Sequence, residues 1–297
     1  MKEFKGLGVA MVTPFNQEKN IDFAGTQRLV EHMISNGVDY LVVQGTTGES
    51  ATLHSDEKRR LLDFILEINN NRVPVVFGIG GNNTAGVCKT LESWDMDGLS
   101  GILSVSPYYN KPTQEGIYQH YKALSQSTDT PIILYNVPGR TASNVLPETT
   151  LRLAEDFVNI VAVKEASGNF NQIEEIIRNR PEGFLVISGD DAITLPLISS
   201  GADGVISVVG NAFPQEFSSL VHAAMRGDLE TARIEQHKLD EIMTCLFLEG
   251  NPAGVKECLN HANICDNHVR LPLVPVSKAL SDRLYRLMAD QELVKSI

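Results

Sequence analysis

The sequence predicts an α/β protein built as one (β/α)8 TIM barrel with a C-terminal helical extension. Eight short runs rich in Val, Ile and Leu alternate with longer amphipathic stretches as far as residue 226, which is the pattern of a parallel sheet with crossover helices. No linker divides these units, and 297 residues is an ordinary length for one barrel. We therefore expect a barrel over residues 1–226 and a helical extension packed on it over residues 227–297. A doubly wound sheet is the alternative, although the chain has no GxGxxG motif.

The predicted strands are nearly continuous in apolar and β-branched residues, as expected when both faces of a parallel sheet are buried. Eight such strands are enough to close a barrel. They cover Gly8 to Thr13, Tyr40 to Gln44, Pro74 to Ile79, Gly101 to Ser106, Pro131 to Asn136, Ile160 to Glu165, Phe184 to Ser188, and Gly204 to Val209.

Helix signals fill the gaps between these strands. Gly37 follows the amphipathic stretch Phe23 to Asn36 in the position that commonly ends a helix. Ser55 is a plausible N-cap for the next helix, and Pro147 fits the first turn of another. In the extension we expect helices that cover the barrel or form an oligomer contact, at Asp228 to Leu248, Pro252 to Asn263 and Ser277 to Leu293.

The charge balance and the cysteines limit the function classes. Acidic residues outnumber basic ones by 37 to 25, a formal net charge of −12 that repels phosphate backbones and anionic lipid, so we expect neither nucleic acid nor membrane as a partner. The N-terminus lacks a signal-peptide core and no run reaches ~20 apolar residues, so we expect a cytoplasmic protein. The four cysteines form no CxxC pair, and we expect ordinary thiols and no metal site.

Polar residues follow several predicted strands at their C-terminal ends, where a barrel of this type collects its reactive groups. The sixth strand carries a lysine, Lys164, within an otherwise apolar run. The other polar segments are Gly45-Thr46-Thr47-Gly48-Glu49 after the second strand, Pro107-Tyr108-Tyr109-Asn110 after the fourth, Tyr135 to Arg140 at the end of the fifth, and Gly189-Asp190-Asp191 after the seventh.

Lys164 is the most informative of these residues. Alternation along a strand places Ala162 and Lys164 on one face, and Val163 and Glu165 on the other. If the first face is the barrel interior, burial favours the neutral amine, which attacks a carbonyl and forms an imine. The alternative is a strand lysine that reaches solvent or pairs with an acid.

The other polar residues allow more than one interpretation. Tyr135 could move protons near an imine and Arg140 could bind a carboxylate, but they could equally be a packed aromatic and a surface arginine. Thr46 and Thr47 offer hydroxyls to an anion, although a tight turn needs the same flanking glycines. For Asp190 and Asp191 we favour helix capping over metal binding, because no further ligands stand at usable spacing. Glu49 could interact with a helix start.

Taken together, these motifs resemble the dihydrodipicolinate synthase and N-acetylneuraminate lyase family. Several motifs match in fixed order, and the similarity runs from Gly8 through Arg270-Leu271-Pro272. Arg140 matches the arginine that binds the carboxylate of aspartate semialdehyde in the synthase branch, and Thr46 gives the GTTGE form typical of that branch. The resemblance implies a lyase that condenses pyruvate with aspartate semialdehyde in the diaminopimelate route to lysine.

The resemblance also implies which residues carry out the reaction. Lys164 would form a covalent imine with pyruvate, so that no metal or organic cofactor is needed. Tyr135, Thr46 and Tyr109 would form a proton relay. In the family this last tyrosine reaches into the site of a neighbouring subunit, which implies a homo-oligomer, at least a dimer and usually a tetramer made of two dimers.

A further set of residues would bind the substrates. Thr47 would hold the pyruvate carboxylate and Arg140 the carboxylate of the aldehyde, while Gly189 and Ile206 would line the pocket. Two other functions stay open: an aldolase of the same family that acts on N-acetylneuraminate or 4-hydroxy-2-oxoglutarate, and a catalytically silent keto-acid sensor. Arg140 argues against the sugar-acid lyase, and the intact reactive set around Lys164 argues against the sensor.

Some members of the family are inhibited by lysine at a site between subunits. Lys58 and Gly86 stand where those members have a histidine and a glutamate, so the partner of a lysine ammonium is lost and a like charge is added. We therefore expect weak or absent feedback by lysine. The residues that still match this effector site are Ser50, Ala51, Leu53, Asn82 and Tyr108.

Overall fold

The computed structural model describes residues 3–293 and contains eight parallel strands closed into a barrel, in the order of the chain. The predicted α/β barrel class is confirmed, and the doubly wound alternative is wrong because β1 pairs with β8. The strands are β1 (Gly6–Ala10), β2 (Tyr40–Val43), β3 (Val75–Gly78), β4 (Gly101–Val105), β5 (Ile132–Asn136), β6 (Ile160–Glu165), β7 (Leu185–Ser188) and β8 (Gly204–Ser207).

Helices connect the strands and surround them. Within residues 3–293, none of the helices is both long enough and apolar enough to cross a membrane. They are α1 (Phe23–Ser35), α2 (Ser55–Asn69), α3 (Thr84–Ser93), α4 (Gln114–Gln126), α5 (Pro138–Thr141), α6 (Pro147–Asp156), α7 (Phe170–Asn179), α8 (Thr194–Ser199), α9 (Pro214–Met225), α10 (Leu229–Cys245), α11 (Ala253–His261) and α12 (Lys278–Asp290).

The helix predictions hold with small shifts at the ends. Gly37 follows α1 with a φ of +87°, and Pro147 occupies the first turn of α6, both as predicted. Ser55 is not the N-cap of α2, because that position belongs to His54, whose backbone N–H donates to Glu57 three residues on. The three helices expected in the extension are present, and α10 packs against α9 and α12. The boundary at residue 226 stays a prediction, and residues 294–297 lie outside the described part.

Closure of the barrel depends on glycines at the seam between β1 and β8. Gly6 pairs with Gly204, and a Cβ on Gly204 would lie 2.1 Å from the Gly6 carbonyl oxygen. A Cβ on Gly8 would lie 2.2 Å from the ring of Tyr40. Real Cβ contacts are never this short, so a larger residue at Gly204 would push β1 and β8 apart, and one at Gly8 would displace Tyr40 of β2.

Two hydrophobic cores follow from the alternation of side chains along the strands. An inner core fills the barrel, with Val42, Leu103, Ala162 and Ile206 among its members. The larger outer core lies between the strands and the surrounding helices, and includes Val163 of β6. Both faces of each strand are therefore buried, which is why the strand sequences are continuously apolar.

A buried ion pair attaches the extension to the barrel mouth. The Nζ of Lys256 in α11 lies 2.6 Å from Glu49 Oε1 and donates to the carbonyl of His268, and both charged side chains are fully buried. Burial lowers the pKa of Lys256, an effect opposed by Glu49. The other oxygen of Glu49 accepts from the backbone N–H of Arg270, so this glutamate serves the extension and not a helix start.

Arg270, which follows His268 in the same segment of the extension, makes a second contact with the barrel. The guanidinium of Arg270 donates two hydrogen bonds to Glu57 and lowers the pKa of that carboxyl to about 2. This stabilisation is present above the ordinary pKa near 4.5 and is lost as the pH falls through about 2.

Glu57→Gln should therefore lower the free energy of unfolding near neutral pH, by on the order of 3 kcal/mol. The difference from wild type should shrink as the pH falls from 4.5 towards 2, because protonated Glu57 and glutamine are then alike. Urea unfolding at a series of pH values measures this, and a difference that stays constant down to pH 2 would contradict it.

Candidate active site

Lys164 lies inside the barrel, near the C-terminal end of β6. It shares its strand face with Ala162 of the inner core, and it is level with Tyr135 on β5 and Ile187 on β7. Only 5% of the residue is exposed, and its Nζ lies 4.4 Å from the centre of the Tyr135 ring. The predicted interior placement is confirmed, and the solvent-reaching alternative is wrong.

Gly189 lies beside this lysine, and Ile206 packs in the inner core of the barrel. A Cβ on Gly189 would lie 3.1 Å from Lys164 Cε and 2.7 Å from the Cβ of Ala166, so only glycine leaves the lysine side chain its present space. Ile206 is 1% exposed and belongs to the inner core. Gly189 therefore lies beside the lysine, whereas a role for Ile206 in the pocket stays a prediction.

A cavity of about 620 Å³ opens at this end of the barrel. Thr46, Tyr135 and Arg140 line it, so the structure brings together side chains from the loops or ends of β2 and β5. Arg140 is exposed in α5, and within residues 3–293 it has no carboxylate partner. Its guanidinium is therefore available to an anionic ligand, while Tyr135 connects the cavity to the amine of Lys164.

The GTTG segment forms a tight turn at the edge of the cavity. Thr46 to Gly48 make one turn of 3-10 helix, in which Thr46 is exposed and Thr47 is 3% exposed. The turn is preceded by Gln44 with a φ of +63°, and a Cβ on Gly78 would lie 2.2 Å from the Gln44 carbonyl oxygen. The backbone of β3 must therefore come very close to the turn, and only glycine permits it.

Tyr108 and Tyr109 leave the end of β4 in different directions. Tyr108 lines the cavity, and its carbonyl accepts a hydrogen bond from Asn82. Tyr109 is 88% exposed, has a φ of +73°, and is not part of the cavity wall. A single chain therefore does not bring Tyr109 together with Tyr135 and Thr46.

The residues predicted for the effector site line the outer part of the same cavity, with one exception. Leu53 is 7% exposed and packs in the outer core instead. Lys58 and Gly86, which depart from the inhibited pattern, also line the cavity, and burial lowers the pKa of Lys58. The predicted residues that line it are Ser50, Ala51, Asn82 and Tyr108.

The two adjacent acids after β7 have different roles. Asp190 accepts from the N–H of Ala192 and caps the following turn, as predicted. Asp191 is buried and accepts instead from the N–H groups of Val208 and Val209 beyond β8. Burial raises the pKa of Asp191 to about 6, an effect that these donors oppose. No cluster of three or more potential metal-binding side chains occurs in the part of the chain described, residues 3–293.

Two buried groups next to the site have contacts that the sequence did not predict. Glu165 follows Lys164 on the opposite face of β6 and accepts hydrogen bonds from Asn136 and Gln172. Burial raises the pKa of Glu165, while these two donors oppose the shift. Asn251 contacts the GTTG turn from the extension, 204 residues away in sequence. No local pattern marks such a contact, whereas alternation along β6 had already placed Glu165 on the face opposite Lys164.

Comparison with known proteins gives consistent matches over almost the whole chain. The model of the dihydrodipicolinate synthetase family matches residues 3–291. Proteins named 4-hydroxy-tetrahydrodipicolinate synthase from Parabacteroides distasonis and Phocaeicola vulgatus are 52% and 53% identical over 271 residues, covering 91% of this chain and 91% of each relative. A crystal structure of dihydrodipicolinate synthase from Thermotoga maritima is 43% identical with a TM-score of 0.95, covering 98% of this chain and all of that one.

The contact between Gly189 and Lys164 generates a prediction. Gly189→Ala should slow reductive labelling of Lys164 by pyruvate and borohydride at least about tenfold, because the new methyl group displaces the amine. Mass spectrometry of the Lys164 peptide measures the rate. Gly139→Ala is the matched control, since a Cβ at that mouth position meets nothing within 4 Å. Equal rates in the two variants would contradict this explanation.

Proposed function

Because this chain belongs to the dihydrodipicolinate synthetase family, we propose that its barrel mouth condenses pyruvate with aspartate semialdehyde through an imine on Lys164. The predicted activity, that of a 4-hydroxy-tetrahydrodipicolinate synthase in lysine biosynthesis, is confirmed by the names of relatives about half identical to the chain, and the chain is a lyase. The observation that carries the residue assignment is the buried amine of Lys164, which packs against Tyr135, a residue that lines the cavity together with Arg140.

The first half of the reaction forms a nucleophile from pyruvate. The Nζ of Lys164 attacks the keto carbon, and loss of water gives the imine. The imine withdraws electrons from the neighbouring methyl group, so that a proton leaves and an enamine remains. The amine is buried, and its Nζ lies 4.4 Å from the centre of the Tyr135 ring, so Tyr135 is close enough to take part in the proton transfers of this half.

The second half joins the two substrates. The enamine carbon attacks the aldehyde, the new alkoxide takes a proton, and the amine of the second substrate then attacks the imine carbon. This closes the ring and releases Lys164. We assign the proton transfers to Tyr135 and Thr46, which face the same cavity, together with Tyr109 from a neighbouring subunit.

The position of Tyr109 supports the proposed oligomer. A tyrosine that is 88% exposed, held at a φ of +73°, is costly to leave in water and suits insertion into another chain. We propose a homo-oligomer, at least a dimer, in which each mouth receives this side chain from its partner. We further propose that two such dimers associate into a tetramer.

Two anion-binding groups would hold the substrates. Thr47, which contacts the cavity-lining residue Asn251, would bind the pyruvate carboxylate, and Arg140 in the cavity wall would bind the carboxylate of aspartate semialdehyde. Gly189 and Ile206 would line the space between them and the lysine. The covalent imine supplies the electron sink, so we propose that no metal or organic cofactor takes part. We also propose that the enzyme works in the cytoplasm.

Reductive trapping tests the core of this mechanism. Borohydride with pyruvate should leave a permanent mass adduct on Lys164 of the wild-type protein, and the adduct should be absent in Lys164→Ala. A wild-type protein that forms no adduct would exclude every imine mechanism at this site. A coupled assay with aspartate semialdehyde against N-acetylneuraminate then identifies the second substrate, and turnover of the sugar acid alone would favour the rival aldolase.

The charge in the outer cavity generates a prediction about regulation. Lysine should not inhibit the enzyme at micromolar concentration, since Lys58 repels its ammonium and Gly86 supplies no carboxylate. Steady-state rates measured with added lysine test this, and micromolar inhibition would overturn it. Gly86→Glu is the informative variant, because the space around a Cβ at this position is ordinary and the new carboxylate should raise sensitivity to lysine.

A further inference from the structure

Asn251 brings a polar side chain from the extension into the wall of the cavity. It lies between α10 and α11, is 8% exposed, and lines the cavity beside Thr46 and Arg140. Its side-chain Nδ2 lies 2.9 Å from the Oγ1 of Thr47. The Oδ1 of Asn251 is buried and has no donor among the described residues. A buried polar atom without a hydrogen-bond partner is energetically costly, which suggests that Asn251 contributes to the site when the cavity holds a ligand.

The contact with Thr47 determines what the threonine hydroxyl can do. A hydroxyl has one hydrogen to donate and two lone pairs to accept with. The amide of Asn251 donates to the oxygen, so the hydrogen of Thr47 must point elsewhere. It has no acceptor among residues 3–293, and the side chain is 3% exposed. Thr47 is not itself part of the cavity wall, but Asn251 beside it is, so a ligand oxygen that reaches this part of the wall meets a free donor in the Thr47 hydroxyl.

The geometry of this contact is held by the neighbouring ion pair. Glu49 follows Thr47 by two residues, and Lys256 follows Asn251 by five, and these two charged groups are 2.6 Å apart in the protein interior. A Cβ on Gly254 would lie 2.3 Å from the Leu246 carbonyl oxygen, so the segment around Asn251 is also packed tightly against the end of α10. The amide of Asn251 therefore has little freedom to move away from the threonine.

We propose that Asn251 is a positioning residue for pyruvate, which acts by fixing the Thr47 hydroxyl as a donor to the substrate carboxylate. This inference rests on the proposed function, in which Thr47 binds that carboxylate. The carboxylate is the same before and after imine formation, so the contact strengthens binding of pyruvate and leaves the chemical step unchanged. Asn251 should thus affect the pyruvate concentration that half-saturates the site, and not the maximal rate of imine formation.

The test is borohydride labelling of Lys164 in the full-length protein at a series of pyruvate concentrations. Asn251→Leu should raise the half-saturating pyruvate concentration roughly tenfold, with the maximal labelling rate within about twofold of wild type. Thr47→Val should give a similar increase. The double variant should show no further increase over Thr47→Val, because Asn251 acts only through that hydroxyl. Independent, multiplying effects would overturn the inference.

Acetaldehyde has a carbonyl group but no carboxylate, so its reaction with Lys164 distinguishes loss of carboxylate binding from a general distortion of the site. Its labelling of Lys164 should be the same in wild type and Asn251→Leu, whereas a distorted site would lose both reactions equally. If Asn251→Leu does not fold by circular dichroism, the near-isosteric Asn251→Asp replaces it, and should raise the pyruvate requirement further because its charge opposes the carboxylate. An unchanged requirement in the folded variant would overturn the inference. Absence of pyruvate labelling in wild type would instead overturn the proposed function, and the inference with it.

Discussion

The pairing of the first strand with the eighth is the contact on which the site depends. Gly6, Gly8 and Gly204 let these strands approach each other and Tyr40 without a clash. Once the sheet is closed, the ends of strands that are far apart in sequence meet at one opening. Lys164 of β6 and Tyr135 of β5 then lie side by side, and the GTTG turn after β2 lies at the edge of the cavity that Tyr135 lines.

Closure also allows the local charge to differ from the charge of the whole chain. The protein carries a formal net charge of −12, yet the cavity and the groups below it include Arg140, Lys58 and Lys164. Fields inside a low-dielectric pocket are set mainly by nearby groups, so an acidic protein can still attract two carboxylate substrates. The three cations have distinct surroundings: Lys164 is buried against an aromatic ring, Lys58 is half-buried, and Arg140 is exposed.

The sequence predicted the parts of the fold that have a short repeat. Continuous apolar runs identified all eight strands, and alternation along β6 placed Lys164 beside Ala162 in the interior. Contacts between distant segments were missed, because the pair of Glu49 and Lys256 spans 207 residues and leaves no local periodicity. The role of Asp191 was missed for a similar reason, since the N–H groups that donate to its carboxylate lie beyond β8 and not in its own turn. Ser55 was misplaced because an N-cap requires the backbone shape and not only the residue type.

The distance along the chain between Glu49 and Lys256 affects how the protein is made. Synthesis proceeds from the N-terminus, so the strands of the barrel leave the ribosome before α11 exists. Until then the carboxylate of Glu49 lacks its cation, and a charge of this kind is costly to bury alone. The turn beside it therefore stays hydrated in the growing polypeptide. The barrel mouth can therefore be completed only after α11, with Lys256, has been translated.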